Sequence, residues 1–322
     1  MSIYPEQLSV RVKAVRWESD GVLSFEFVAA DGVRLPPFTA GAHVDLHLPN
    51  GLMRSYSLCG DQEETHRWIV AVNRDANSRG GSTWIHDHLH AGQFLTVSEP
   101  LNNFPLAEDA GHSVLIAGGI GITPMLSMVR RLAGRGRDWT LYLAVRTRGQ
   151  AAFVDELRRL AGERPERFVL HVDDDNGGHV LDVASIVSGV DDDTHVYCCG
   201  PAPMLDAFEK AAAHLPEQRR HVEYFAAKEA PATDGGFEVE LTHSGMVLRV
   251  PEGATILDTL LAAGVDASFS CTEGVCGTCE TRVLGGIPDH RDLVLTDAEK
   301  ASNGVMMICC SGSKSARLVL ER

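Results

Sequence analysis

A chain of 322 residues is long enough for two or three domains with cores of their own, since domains commonly run to about 100–200 residues. Its 44 acidic against 29 basic side chains leave a net charge of −15, which argues against nucleic acid as a partner, because phosphate is held by clustered Lys and Arg. Such a surface suits steering toward a basic face on another protein. The opening MSIYPEQLSVRVKAV lacks a basic n-region and an apolar h-region, and no apolar run approaches bilayer length, so a soluble cytoplasmic protein without membrane contact is expected.

Residues 1–106 read as an all-β unit. The runs LSVRVKAVRW, VLSFEFVAA, AHVDLHLP, RSYSLCG, RWIVAVNRD and QFLTVSEP alternate in polarity and are punctuated by Gly, Pro and Asp, the pattern of a small antiparallel barrel. Within it, Arg54, Ser55, Tyr56 and Ser57 put a cation, a phenol and hydroxyls on one strand. An aromatic ring can cover an isoalloxazine while Arg pairs with phosphate. Further on, Arg79-Gly80-Gly81-Ser82 leads into WIHDHL, a glycine turn at a helix start whose N–H groups suit an anion. Each feature alone is an ordinary strand or an ordinary turn; together, with Val72 on the neighbouring run, they mark a flavin phosphate site. His86, His88 and His90 on the short helix read as solvated side chains rather than as a metal site.

Across residues 107–228 the pattern changes to strand–helix alternation, the signature of a parallel sheet covered by helices. The turn Gly118-Gly119-Ile120-Gly121-Ile122-Thr123-Pro124 ends a buried strand and opens a helix, with Thr123 expected as N-cap and Pro124 at the first helical position, where a pyrophosphate would sit well. It departs from the usual dinucleotide fingerprint, because Pro124 takes the place of the third glycine. A second such turn, Cys198-Cys199-Gly200-Pro201, again follows a strand and precedes a helix. Two ligand-facing turns at strand ends of one sheet reinforce each other. Taken alone, Cys199 is a small buried hydrophobe. The stretches Asp173–Asp175 and Asp191–Asp193 read as solvated loops.

Residues 229–236 have the composition of an exposed linker, and a third domain begins at Phe237 and runs through 322. It holds Cys271, Cys276 and Cys279 at C-x4-C-x2-C spacing, followed by Cys309 and Cys310, the ligand pattern of a plant-type 2Fe-2S centre. A tight irregular loop must join the first three thiols, and Gly274 and Gly277 permit positive φ there. Zinc sites pair their thiols, which would leave Cys271 over, and disulfides are disfavoured in a cytosolic chain. If Cys309 and Cys310 lie on a strand, only one of them points inward.

In this order, Arg54-x-Tyr56-Ser57-Leu58, Gly118-Gly-Ile-Gly-Ile-Thr-Pro-Met125, Cys199-Gly-Pro201 and the terminal cysteine set resemble the phthalate dioxygenase reductase family, the one-piece reductases of Rieske-type oxygenases. The resemblance spans essentially the whole chain. It implies a ferredoxin-reductase-like antiparallel β-barrel, an α/β nucleotide-binding domain with a parallel sheet, and a C-terminal β-grasp 2Fe-2S ferredoxin. It also implies FMN, NADH and a terminal oxygenase as electron acceptor, in a monomeric protein. Cys309 becomes the implied fourth ligand, with Cys271 and Cys276 on one iron and Cys279 and Cys309 on the other. Cys199 is implied near the nicotinamide, Phe225 near the flavin, and Gly118, Gly119, Gly121, Thr123, Pro124, Arg146, Arg148, Gly200 and Pro201 around the dinucleotide. The other function class that the pattern allows is an electron-carrying ferredoxin with a non-catalytic front half, and the intact glycine turns favour the enzyme.

The turn at Arg79–Ser82 can close on a terminal phosphate, and no distinct adenine-binding insertion is present. Flavin released by boiling is therefore expected to chromatograph as FMN. A stoichiometric FAD peak would contradict this.

Overall fold

The computed structural model describes residues 7–76, 78 and 80–322. The first antiparallel sheet comprises β1 (Gln7–Ser19), β2 (Val22–Ala29), β3 (His43–His47), β4 (Met53–Ser57), β5 (Trp68–Asn73) and β6 (Phe94–Ser98), with α1 (Gly81–His88) before the last strand. The strand order is β4-β3-β6-β1-β2-β5, and a bridge between Leu58 and Val70 carries the end of β4 onto β5, closing the barrel. Closure removes exposed strand edges.

The alternation along β5 explains why that strand is apolar throughout. Trp68, Val70 and Val72 fill the barrel interior with Val10, Phe25, Phe27, Leu46 and Val97. Ile69 and Ala71 point the other way and join a second core, together with Val22, Cys59 and Phe104 of the barrel. Successive strand residues face opposite sides, so one strand serves two cores. Each fully buried large apolar side chain contributes about 1.5–3 kcal/mol.

That second core belongs to a sheet of β7 (His112–Gly118), β8 (Asp138–Val145), β9 (Phe168–Val172), β10 (Thr194–Cys199) and β11 (Arg220–Glu223), covered by α2 (Ile122–Gly134), α3 (Val154–Ala161), α4 (Val183–Ser188) and α5 (Ala202–Ala212). All pairings are parallel, in the order β11-β10-β7-β8-β9. The chain winds outward from β7 in one direction and then, from β10, in the other. The carboxyl ends of β7 and β10 are thus a topological switch point, where doubly wound sheets bind ligands.

Tyr224–Arg322 forms a compact unit separate from the preceding residues. Its sheet is β13-β12-β18-β14-β16, from β12 (Glu238–Leu241), β13 (Val247–Arg249), β14 (Glu280–Gly285), β16 (Val305–Met307) and β18 (Arg317–Leu320), with a small pair of β15 (Pro288–Asp289) and β17 (Gly312–Ser313). The helices are α6 (Ile256–Ala262) and α7 (Asp297–Ser302), begun at Thr255 and Thr296 by capping boxes with Asp258 and Glu299. Ile256, Leu257 and Leu260 of α6 share one core with Val239, Leu241, Leu318 and Leu320 of the sheet. In the segment expected to be an exposed linker, Ala232 N–H donates to the Cys310 carbonyl at 2.8 Å and Gly236 N–H to Val250 at 2.9 Å. These bonds tie that segment to the terminal unit, which composition alone does not reveal. Among the described residues no helix is long and apolar enough to cross a membrane.

Candidate functional site

At the switch point the two turns are nested. A Cβ on Gly121 would lie 2.1 Å from the Cys199 carbonyl oxygen, one on Gly118 2.5 Å from Pro201 Cδ, and one on Gly200 3.1 Å from the Gly118 backbone. Only glycine permits that approach. Gly119 has φ 54° and opens outward, with nothing within 4 Å of where a side chain would begin. Gly119–Gly121 forms a 3₁₀ turn and α2 starts at Ile122, so the cap position is Gly121 rather than Thr123. Thr123 is buried inside the first turn and its hydroxyl donates to the Ile120 carbonyl at 3.0 Å. Pro124 is consequently the third residue of α2, where the lack of an N–H is tolerated. Ile122 N–H already donates to the Gly119 carbonyl, so the N–H groups that suit a pyrophosphate are those of the 3₁₀ turn ahead of α2.

Cys199 ends β10 opposite Glu223, the last residue of β11. The thiol is almost fully buried, and burial, followed by the neighbouring Glu223 carboxyl, pushes its pKa well up. It stays protonated, unlike an activated nucleophile. Burial also raises Glu223 to about 8, with a hydrogen bond to Cys199 partly offsetting it. Glu223 Oε2 is buried and has no hydrogen-bond partner among the described residues. Sequence reasoning missed Glu223, because nothing local in His-Val-Glu-Tyr-Phe marks a carboxyl that must meet a thiol on another strand. Arg146 and Arg148 leave the carboxyl end of β8, both exposed, and Arg148 is ion-paired with Asp175.

On the barrel, Arg54 and Tyr56 of β4 are half-buried. Burial raises the Tyr56 hydroxyl to about 12, and the Arg54 charge pulls against that rise. The Arg54 side chain lies across the start of α1: a Cβ on Gly81 would be 2.8 Å from its Cγ and 2.9 Å from its Nε. A guanidinium against helix N–H groups is a fitting place for an anion. Ser82 sits in the same turn, its hydroxyl accepting from Asp75 N–H at 3.2 Å. Ser55 turns instead to the buried Asp45, donating at 2.6 Å, and Ser57 is buried. The Val72 side chain fills the barrel core, so only its backbone faces outward, where its carbonyl meets His86 Nε2 at 2.9 Å. His88 packs beside Trp84, with ring centroids 5.5 Å apart, and His90 is exposed. Arg79 lies outside the described residues.

In the terminal unit Cys271, Cys279 and Cys309 are buried and Cys276 is half-buried. The Cys271 thiol interacts with those of Cys276 and Cys309, and Cys309 interacts with Cys271, Cys279 and Cys310. Cys271 is driven down, first by the neighbouring Cys276 and Cys309 thiols and then by loop N–H groups, and Cys279 is lowered first by Cys309. Glu273 N–H points at Cys271 Sγ at 3.3 Å. Donors aimed at sulfur suit thiolates, and these four residues could hold a 2Fe-2S cluster. Gly274 and Gly277 have φ of 71° and 80° as the loop requires. Thr272 also has positive φ, 56°, uncommon for a β-branched residue, and its hydroxyl donates to the Cys271 carbonyl at 2.7 Å. Such strain clusters at functional sites, yet no spacing rule pointed to Thr272.

Cys309 and Cys310 do not lie on a strand. β16 ends at Met307, and Cys310 and Ser311 N–H groups turn back to the Met307 carbonyl at 3.3 and 3.0 Å. Alternation therefore does not decide between the two thiols. Cys310 Sγ packs under Gly274, where an added Cβ would meet it at 2.5 Å. Phe225 belongs to this unit and is 42% exposed.

Comparison with known proteins gives a concordant picture. Residues 115–210 match the oxidoreductase NAD-binding domain and residues 239–313 the 2Fe-2S iron-sulfur cluster binding domain. Phenoxybenzoate dioxygenase subunit beta of Ectopseudomonas oleovorans is 51% identical, over 98% of this chain and 97% of that one. Tetrachlorobenzoquinone reductase of Sphingobium chlorophenolicum is also 51% identical, over 92% and 93%. The solved structure of phthalate dioxygenase reductase, described as modular for electron transfer from pyridine nucleotides to [2Fe-2S], superposes with a TM-score of 0.78 at 39% identity, covering 98% of each chain.

The raised Glu223 carboxyl has a consequence for stability. Below pH 4.5 it is protonated whether the chain is folded or not; between 4.5 and about 8 only the unfolded chain ionises, so stability falls as pH rises through that window. Glu223→Gln is expected to flatten this decline and to stabilise the protein at pH 8 by on the order of 2 kcal/mol. Urea unfolding at pH 5 and pH 8 measures it; an identical pH response in both proteins contradicts the expectation.

Proposed function

This chain belongs to the phthalate dioxygenase reductase family, and we propose that it is the NADH-dependent reductase component of an oxygenase, of the aromatic-ring dioxygenase or O-demethylase type. The observation that carries this is the presence in one chain of nested glycine turns at a sheet switch point and, in a separate compact unit, a three-thiol loop gathered with Cys309. NADH gives up two electrons as a hydride and a 2Fe-2S cluster accepts one at a time; bound FMN supplies the conversion. Arg54, with Gly81 and Ser82 at the start of α1, is proposed to hold the flavin phosphate, and Tyr56 to cover the ring.

The turn from Gly118 to Pro124 binds the pyrophosphate in this reading. Cys199, uncharged and backed by Glu223, sets the floor on which the nicotinamide lies. Hydride transfer needs no general acid or base, which suits a site whose thiol and carboxyl are both held neutral at pH 7. Cys271, Cys276, Cys279 and Cys309 hold the cluster, and electrons leave for a Rieske-type oxygenase. The protein acts as a cytoplasmic monomer. The relative named tetrachlorobenzoquinone reductase favours a second reading, in which a small quinone takes the electrons directly. Comparing turnover with a quinone and with an oxygenase encoded nearby separates the two.

NADH should bleach the bound flavin and reduce ferricyanide. Cys276→Ser is expected to remove the cluster spectrum and spare ferricyanide reduction, because Tyr224–Arg322 is a compact unit with its own core. Simultaneous loss of flavin reduction would show that the units depend on each other. In the same assay kcat/KM for NADH should exceed that for NADPH at least about tenfold, roughly 1.4 kcal/mol of discrimination.

A further inference from the structure

The strand next to β7, β8, is followed by Arg146-Thr147-Arg148, and arginine at that point of a dinucleotide site can take a 2′-phosphate. The fold sets a carboxylate against it. Asp173–Asp175 follows β9, the parallel neighbour of β8, and continues the ladder past the strand ends: Asp173 N–H donates to the Val145 carbonyl at 2.9 Å and Asp174 N–H to that of Arg146 at 3.1 Å. Asn176 Nδ2 closes the turn on the Val172 carbonyl at 2.8 Å. The backbone thereby presents Asp175, whose Oδ2 accepts from Arg148 Nη2.

The arginine's own loop is equally constrained. Thr147 and Gln150 bracket Arg148 in a capping box. On its other side, Asp20 N–H, from the turn between β1 and β2, donates to the Gly149 carbonyl at 2.8 Å, and a Cβ on Gly149 would lie 2.2 Å from the Asp20 carboxylate. The loop that carries Arg148 is thus pinned by Asp20 at Gly149, and its guanidinium is paired with Asp175.

We propose that Asp175 determines coenzyme specificity: it occupies the guanidinium that would otherwise pair with a 2′-phosphate, and it repels that phosphate. This rests on the reading of the chain as an NADH-dependent reductase. A bidentate guanidinium matches phosphate as well as carboxylate, so Arg148 is a phosphate site held in reserve by its partner. Both side chains are substantially exposed, 67% for Arg148 and 48% for Asp175, so the pair is easily parted and the effect is one of preference rather than exclusion.

The test is the ratio of kcat/KM for NADPH to that for NADH, measured with ferricyanide at fixed ionic strength in the full-length protein. Asp175→Asn should raise the ratio by about fivefold or more, through a lower KM for NADPH, and the gain should shrink with added salt. Asp175→Asn with Arg148→Ala should return the ratio to its starting value. Calorimetry with adenosine 2′,5′-bisphosphate against 5′-AMP, which needs no turnover, should show the same order of binding. A ratio unmoved within about twofold in Asp175→Asn, or a gain that survives loss of Arg148, overturns the assignment while the NADH activity stands. Failure of the unaltered protein to oxidise NADH overturns the functional reading and the assignment together.

Discussion

The close approach of two backbone turns, Gly118–Gly121 after β7 and Cys199–Pro201 after β10, is the constraint on which the nucleotide half depends. With 2.1 Å between a would-be Gly121 Cβ and the Cys199 carbonyl, any side chain would wedge the strand ends apart. Nested, the turns bring Gly121 and the start of α2 beside Cys199, which faces Glu223. The switch in strand order makes this meeting possible, because β7 and β10 are neighbours in the sheet though each paired position lies 82 residues from its partner along the chain. The same sheet anchors the barrel through Ile69, Ala71 and Phe104, so the flavin and nucleotide elements share apolar packing rather than a flexible tether.

The terminal unit solves a different problem. Four thiols carry like charge when ionised, and gathering them costs free energy that loop N–H groups and the cluster must offset. Positive φ at Gly274 and Gly277 bends the loop, and Glu273 N–H faces Cys271 Sγ. Around the loop the capped helices α6 and α7 and the core beneath them are conventional. Irregular backbone is confined to the part that handles sulfur.

Where local reading went astray, the cause was a shift of one or two residues in an element's end. The 3₁₀ turn at Gly119–Gly121 moves the helix start ahead of Thr123, so a residue with the chemistry of a cap becomes an internal hydroxyl bonded to Ile120. Likewise β16 stops at Met307, and the adjacent cysteines sit in a turn where alternation has no force. Boundaries depend on which carbonyl captures a given N–H, and residue type constrains that weakly.

The amino-acid sequence by itself determined the succession of barrel, alternating strands and helices, and cysteine-bearing unit, because hydrophobic period, turn chemistry and ligand spacing are properties of contiguous residues. It also marked both glycine turns and the thiols. Only the tertiary structure decided that Asp175 answers Arg148, that Glu223 stands against Cys199, and that Arg54 lies over Gly81. Each of those pairings joins different elements. Which strands become neighbours, and in what register, is decided by packing of the whole sheet, so the partner of a charge or thiol is not written beside it in the chain.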